Sequence, residues 1–208
     1  RQNAPLVLDM LNGAKVNAYA SDSVYLHEIE GSNVFGMNIE KIEAPTKVEL
    51  RAEQWIHDAH DSDRPNIITA VLHFFTPTTS STSNIGESNN YIEIDLVSTT
   101  GNLQAIAGGS IFLAETDGDM LVDRVLSSLG DVSLNAFKSS IYEWNEDDAA
   151  DVRGNSIRLQ TAYGGIGKSD DFLDVDSSYQ QNGTVSSTST ENIYLKEVTG
   201  DLRLGHIQ

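Results

Sequence analysis

An internal repeat is the sequence feature that most constrains the fold of this 208-residue chain. Three eight-residue segments share one pattern of aliphatic, aromatic, glutamate and glycine positions: VYLHEIEG at 24–31, IFLAETDG at 111–118 and IYLKEVTG at 193–200. Their closing glycines are 87 and then 82 residues apart. Self-similarity at a nearly constant spacing is the signature of a stacked repeat architecture. A unit copied in this way builds length or surface area, which a single active site does not require.

The similarity extends to both sides of these segments. Strand-like stretches that end in aspartate precede each one, at 6–9, 92–95 and 173–176. The pattern predicts repeat copy one at 1–87, copy two at 88–168 and the start of copy three at 169–208, all in one continuous solenoid fragment. Segment 66–84 departs from it. Because the pattern is cut at both ends of the chain, we expect a piece of a longer repetitive protein.

Period-two alternation of apolar residues predicts short β-strands along the whole chain. Ile111 and Leu113, for example, point to one face and Phe112 to the other. Clusters of Gly, Asn, Asp and Ser form turns between the strands. Small inward residues, such as Ala105 and Ala107, favour a narrow coil over a thick sandwich.

We therefore predict an all-β fold, a right-handed parallel β-helix (β-solenoid) built from repeats of about 82–87 residues. Each copy would form about three turns of a three-sided coil. Tandem β-sandwich modules are the alternative, because a unit of this length also suits an immunoglobulin-like domain.

Composition excludes several classes of partner. The net charge of −18 argues against nucleic acid and anionic membranes. There is no cysteine, hence no disulfide and no thiolate chemistry. The longest apolar run, 67–75, is shorter than the ~18 residues that span a bilayer, so no membrane insertion is expected.

Acidic turns supply the candidate metal ligands, because Ca²⁺ takes hard oxygen donors from aspartate and from backbone carbonyls. The candidates for calcium are Asp117, Asp119, Asp147, Asp148, Asp151, Asp170, Asp171 and Asp174. None of their spacings matches an EF-hand or a calcium-binding nonapeptide coil, and turn formation is the alternative role. His57 and His60 suggest a transition-metal site, but the matching stretch 146–153 of copy two has no histidine, which favours a solvated acidic loop.

Two further sets of residues recur at fixed repeat positions. The outward aromatic residues Tyr25, Phe112 and Tyr194 are candidates for a sugar-stacking or self-association stripe, or else they pack beneath loops. The recurring glutamates are Glu28, Glu115 and Glu197, and the matched basic residues are Lys41, Arg124 and His206. We expect these to form structural ion pairs on the exterior of the sheets.

The motifs at 111–119, 130–136 and 155–167 resemble the repeats of giant bacterial surface proteins. They are similar to repeats of filamentous-haemagglutinin-like adhesins and related exoproteins. The resemblance covers most of the chain and implies a right-handed parallel β-helix in an extracellular stalk or adhesin. It implies no catalytic residues.

The functional prediction is a non-catalytic segment of a large repetitive extracellular bacterial protein, at the cell surface or secreted, serving as stalk, scaffold or adhesive fibre. A glycan- or calcium-binding surface module is the alternative, and a polysaccharide-degrading β-helix enzyme is third. The expected partners are neighbouring repeats, then glycans or another cell surface, with end-to-end self-association of open coils. No cofactor is predicted apart from the candidate calcium.

Overall fold

The structure is a computed structural model that describes residues 4–29, 36–97, 99–177, 179 and 183–208. Glu30 and Gly31, which end the first repeated segment, lie outside the described residues. All regular secondary structure in the described ranges is β-strand, so no helix there is long and apolar enough to cross a membrane.

The described residues form twenty strands in two sheets of ten, numbered here in chain order. Sheet A contains β1 (Leu6–Leu8), β3 (Ser23–Glu28), β5 (Lys47–Ala52), β8 (Val71–Phe75), β10 (Leu103–Ala107), β12 (Met120–Ser127), β14 (Ile141–Glu143), β15 (Val152–Arg153), β17 (Leu173–Asp176) and β19 (Leu195–Glu197). Sheet B contains β2 (Val16–Tyr19), β4 (Met37–Glu43), β6 (Ile56–Asp58), β7 (Ile67–Thr69), β9 (Ile92–Leu96), β11 (Ile111–Glu115), β13 (Val132–Ala136), β16 (Ile157–Thr161), β18 (Val185–Thr188) and β20 (Leu204–Ile207).

The chain winds into a parallel β-solenoid of about 8 turns with roughly 24 residues per turn. This confirms the predicted fold class, while the right-handed sense stays a prediction. The alternative of tandem sandwiches is wrong, because a sandwich is built from antiparallel strands and the paired strands here run parallel. The prediction of a three-sided coil was also wrong, because the described strands form two sheets. Two strands and their turns already use the roughly 24 residues of one turn.

Stacked isoleucines fill the inside of the coil. Ile56, Ile85 and Ile111 form one ladder of bridged residues, and Ile141, Ile166 and Ile193 form another. The first three and Ile141 and Ile166 are fully buried, and Ile193 packs against the same core. Because the same residue type occupies the same position in successive turns, each turn repeats the same packing, as expected for a solenoid.

Small inward residues accommodate large neighbours in the adjacent turn. Phe74 is fully buried, and its register partners are Leu50 on one side and Ala105 on the other. The small side chain of Ala105 therefore lies beside the ring of Phe74. This agrees with the prediction of a narrow coil, because each layer is filled by the one next to it.

Segments that the sequence repeat aligns fall on alternate sheets. The first eight-residue segment contributes β3 to sheet A, the second contributes β11 to sheet B, and the third contributes β19 to sheet A. Among the described strands from β1 to β8, seven lie on the main path of the two sheets and β6 lies off it. An odd number of half-turns moves the next copy to the opposite sheet. Aligned side chains of consecutive copies therefore point to opposite sides of the coil.

Two acidic loops project where a strand is interrupted. β6 and β7 pair with the two halves of β4, and residues 59–66 leave the coil between them. β14 and β15 pair with β12 in the same way and flank the loop 144–151. The two loops occupy equivalent positions in copies one and two, as the alignment of the acidic stretches predicted.

Segment 66–84 belongs to the repeat more fully than its sequence suggested. It contains β7 and β8, which occupy the positions that β15 and β16 hold in copy two. The departure is confined to the turn 76–84, where Thr76 Oγ1 donates a hydrogen bond of 2.8 Å to the carbonyl of Ser83. A longer turn is tolerated there because it lies outside the stacked core.

Candidate functional site

An acidic pocket between the loop 144–151 of copy two and the start of copy three gathers five of the predicted calcium ligands. It has a volume of about 300 Å³ and lies where the loop 144–151 meets the turn before β17. Its lining residues are Glu143, Glu146, Asp147, Asp148, Asp170, Asp171, Phe172, Asp174 and Lys196. The acidic stretches meet because they lie roughly one 24-residue turn apart, and neighbouring turns stack on one another.

Backbone hydrogen bonds fix the carboxylates around this pocket. Glu143 ends β14, and its Oε1 accepts the N–H of Asp147 at 3.0 Å. Asp151 is buried next to β15, and its Oδ2 accepts the N–H of Asp174 at 3.1 Å. The carboxylates thus hold the two ends of the loop, which is the structural role that aspartate has in turns.

Lys196 places a positive charge in the acidic pocket. It is the register partner of Asp174 in the parallel pair of β17 and β19. Its Nζ lies 3.1 Å from Asp174 Oδ2 and 2.7 Å from Asp148 Oδ1. The hydrogen bond from Lys196 lowers the pKa of Asp148, so the two groups favour each other's charged forms.

Other carboxyls around the pocket hold protons more tightly than usual. Burial raises the pKa of Glu143 to about 7, and the charges of Asp171 and Asp174 add to this effect. Burial, followed by the charge of Glu143, raises the pKa of Asp151 to about 8. Burial also raises the pKa of Asp174, against the opposing influence of Lys196. Negative charge in the pocket exceeds what its one lysine neutralises.

The arrangement does not form a conventional metal centre. Within the described part of the chain, no group of three or more His, Cys, Asp or Glu side chains is placed to hold a metal ion. Lys196 supplies a cation directly to Asp174 and Asp148. Calcium at the predicted aspartates of copy two therefore stays a prediction, and the geometry favours their role in forming turns.

Asp117 and Asp119 lie away from this pocket, in the turn after β11. Asp117 Oδ1 accepts a hydrogen bond of 2.8 Å from Lys138 Nζ. Asp119 Oδ1 accepts the N–H of Ser140 at 3.1 Å and also bonds the hydroxyl of Ser139. Both carboxylates already have protein donors, which again agrees with turn formation.

The three candidate aromatic residues do not form one stripe. Tyr25 lies in sheet A, Phe112 in sheet B, and Tyr194 beside β19 of sheet A. Phe112 packs edge-on against Tyr91 with ring centroids 5.6 Å apart, and Tyr194 packs against Phe172 at 5.7 Å. Phe112 and Tyr194 thus each contact a ring in the turn that precedes β9 or β17. Lys47 lies over the ring of Tyr25, 5.9 Å from its centroid.

Two of the recurring glutamates, Glu115 and Glu197, accept hydrogen bonds from turns, and the prediction of exterior ion pairs was wrong for both. Glu115 is fully buried, and its carboxylate accepts N–H groups from Leu96 and from Thr116, at 3.1 Å each. It also accepts from Asp117 and Gly118, which explains the spacing of glutamate and glycine in the repeated segment. Glu197 accepts the N–H and the hydroxyl of Ser177 at 2.8 Å.

Four residues that line the acidic pocket were not among the predicted ligands: Glu143, Glu146, Phe172 and Lys196. Lys196 stands inside the third repeated segment, where copies one and two have His27 and Ala114. A basic residue at this position of the repeat could have indicated an ion pair. Its partner Asp174 could be identified only from the pairing of β17 with β19.

Neither a protein-family model, nor a curated protein, nor a solved structure matches this chain. The solenoid fold that the resemblance implied is present, and the link to haemagglutinin-like adhesins rests on the motifs alone.

Proposed function

We propose that this chain is a non-catalytic structural segment of a large repetitive extracellular bacterial protein, of the filamentous-haemagglutinin-like kind. It serves there as part of a stalk, scaffold or adhesive fibre. The observation that carries the proposal is the continuity of the two parallel sheets from β1 and β2 to β19 and β20. Hydrogen bonds between turns run along the coil axis, so each added turn lengthens the rod and strengthens its neighbour.

The outer strands support a role in a longer assembly. β1 pairs only with β3, and β20 pairs only with β18, among the described strands. Leu6 and Val7 at one end and Leu204 and Ile207 at the other are exposed apolar side chains. Unpaired strand edges of this kind accept further strands, which fits neighbouring repeats or a second chain as partners. The net charge of −18 keeps a long array soluble.

A non-catalytic role also fits the way the ionisable groups are used. Glu115, Glu143 and Asp151, whose pKa values are raised to about 7 or 8, each accept backbone N–H groups that fix turns. A polysaccharide-degrading enzyme needs carboxyls that face a substrate groove. Glu115 and Asp151 are buried away from the two pockets described here, and Glu143 borders the acidic pocket but is only 5% exposed.

Glycan binding is the second candidate function, because a groove follows the outer face of sheet B. It has a volume of about 480 Å³. Phe112, Ser133, Arg158 and Ser186 follow one another along it in register. Tyr91 closes one end, with its hydroxyl 2.7 Å from Ser133 Oγ. An aromatic ring followed by hydroxyl and guanidinium groups is a lining that suits sugars.

Force spectroscopy of the chain, held between two marker domains, tests the structural role. A load-bearing coil should unfold turn by turn, and each turn of roughly 24 residues should release about 80 Å of extended chain. A single low-force event without turn-sized steps would contradict the proposal.

A panel of neutral and acidic polysaccharides separates the other two candidates. Binding that is lost in Arg158→Ala and kept in Arg203→Ala, without any cleavage, would favour the glycan-binding module. Release of shortened sugars would establish the enzyme and overturn the non-catalytic role.

A further inference from the structure

We propose that a divalent cation of the Ca²⁺ class lies between Asp58 of copy one and Glu93 of copy two, at the position that the ammonium group of Lys196 occupies one repeat later. Each of these two sites takes the name of the copy that carries its acidic loop, copy one for the loop 59–66 and copy two for the loop 144–151. This inference goes beyond the structural role proposed above and does not depend on it. None of the residues involved is among the aspartates that the sequence suggested for calcium.

Asp58, Asn66 and Glu93 are joined at the base of the loop 59–66. Asn66 Nδ2 donates to the carboxylate of Asp58 and, at 3.3 Å, to the carbonyl of Ile39. Asn66 Oδ1 accepts the N–H of Glu93 at 2.9 Å. One fully buried amide therefore links the carboxylate of Asp58 to the backbone of Glu93.

Each of these two acids has a buried oxygen with no partner. Asp58 and Glu93 are both only 6% exposed. Asp58 Oδ2 and Glu93 Oε2 have no hydrogen-bond partner among the described residues. A buried carboxylate oxygen without a partner is costly, and a positive group at this point would offset that cost.

The surrounding charges also favour a cation. Asp61 and Asp63 of the loop add further negative charge near Glu93. His60 lies beside Asp58, with 3.5 Å between Nδ1 and Oδ1, and its Nε2 is 3.2 Å from the carbonyl of Glu40. A divalent ion removes the repulsion between the two carboxylates, which one imidazole at the edge of the site does not.

Copy two provides an internal comparison, because the same positions of the repeat are occupied there by Glu143, Asp151 and Asp174. Asp174 pairs in register with Lys196, whose Nζ lies 3.1 Å from its carboxylate. Glu93 pairs in register with Ala114, which is fully buried and carries no charge. The repeat thus supplies its own cation in copy two and lacks it in copy one.

Oxygen chemistry selects the class of ion. The described residues contain no group of three or more His, Cys, Asp or Glu side chains that could hold a metal ion, so a cation bound here must take most of its ligands from neutral oxygens. Ca²⁺ combines a small number of carboxylates with neutral oxygens and water. Two buried carboxylates at the base of an acidic loop match that preference.

Calcium titration of the EDTA-treated chain tests the inference. By isothermal titration calorimetry we expect one equivalent of Ca²⁺ to bind, and the melting temperature should rise with CaCl₂. Glu93→Gln and Asp58→Asn keep the size of each side chain and should bind at least about tenfold more weakly. Asp174→Asn removes a carboxylate from copy two and should leave Ca²⁺ binding unchanged.

A second variant moves the cation of copy two into copy one. Ala114→Lys should reproduce the pair of Asp174 and Lys196, abolish Ca²⁺ binding and remove the effect of EDTA on melting. If Ala114→Lys does not fold, the Glu93→Gln and Asp58→Asn titrations still decide the question. Wild-type protein that shows neither heat nor a melting shift in millimolar CaCl₂, or Glu93→Gln that binds as tightly as wild type, would overturn the proposal.

Discussion

Asp174 and Lys196 are register partners in adjacent parallel strands, and the lysine ammonium lies 3.1 Å from a carboxylate oxygen of the buried aspartate. The same lysine reaches Asp148 on the loop 144–151 at 2.7 Å. A single side chain therefore neutralises a buried acid and ties the loop to the next turn of the coil.

Lys196→Ala should lower the melting temperature, because it leaves Asp174 buried next to other carboxylates without a cation. Asp174→Asn should lower the melting temperature less than Lys196→Ala does. Adding Lys196→Ala to Asp174→Asn should lower it only slightly further. Thermal melts of the two single variants and the double variant measure the coupling. Strictly additive losses would contradict a direct interaction.

Gly167→Ala should destabilise the coil by more than about 2 kcal/mol, for two reasons that act together. Gly167 has φ +64°, and a Cβ at this position would overlap the carbonyl oxygen of Tyr194 in the next turn. Gly13 has φ +76° with no atom within 4 Å of its Cβ position. Gly13→Ala therefore serves as the control and should cost only the backbone part, about 1–2 kcal/mol.

Urea denaturation of both glycine variants makes this comparison. Equal losses for Gly167→Ala and Gly13→Ala would show that the close approach between turns does not exist.

Stability should fall as pH rises from about 5 to about 8. Burial raises the pKa of Glu115 and Asp151 to about 8 and of Glu143 to about 7, from ordinary values of 4.5 and 3.8. In that pH range the folded chain keeps protons that the unfolded chain has released, so the free energy of unfolding decreases with increasing pH. Above about pH 8 this contribution is lost and the curve levels off.

Thermal melts in EDTA between pH 5 and pH 9 measure this dependence. Glu115→Gln should make the curve less steep, because the glutamine stays neutral throughout while Glu143 and Asp151 still titrate. A melting temperature that rises steadily over this range would contradict the raised pKa values.

Phe112→Ala should destabilise the fold by about 1–2 kcal/mol, because its ring packs on Tyr91 in the turn before β9. Tyr163 is 71% exposed, and Tyr163→Ala should change stability by less than about 0.5 kcal/mol. Denaturant melts of the two variants check this difference. If both variants lost equally little stability, Phe112 would be a free surface residue, as a stripe for sugar stacking requires.

The local pattern of residues was enough to predict the strands and their inward faces. Alternation at 111–115 places Ile111 and Leu113 inside and Phe112 outside, as observed. The pair Ile-Gly occurs at 85–86 and again at 166–167, because each isoleucine joins a core ladder and each glycine turns the chain at positive φ.

Relations between turns were not predictable from the sequence alone. Period-two alternation tells which residues point inward, but not which strand lies next to which. For this reason the aromatic residues were expected on one face, although successive copies occupy opposite sheets. The pair of Asp174 and Lys196 was not predicted for the same reason, because only the stacking of two turns brings these residues together.

The distance between spin labels placed at Tyr25→Cys and Tyr194→Cys tests the continuous coil most directly, since the chain has no other cysteine. β3 and β19 are seven strand steps apart in the order of the described strands of sheet A. At about 4.8 Å per step, their backbones should lie about 34 Å apart, and pulsed electron spin resonance should give one distribution near that value. A mean distance near twice that value, or a broad distribution, would indicate separate modules joined in series and would contradict a single stacked solenoid.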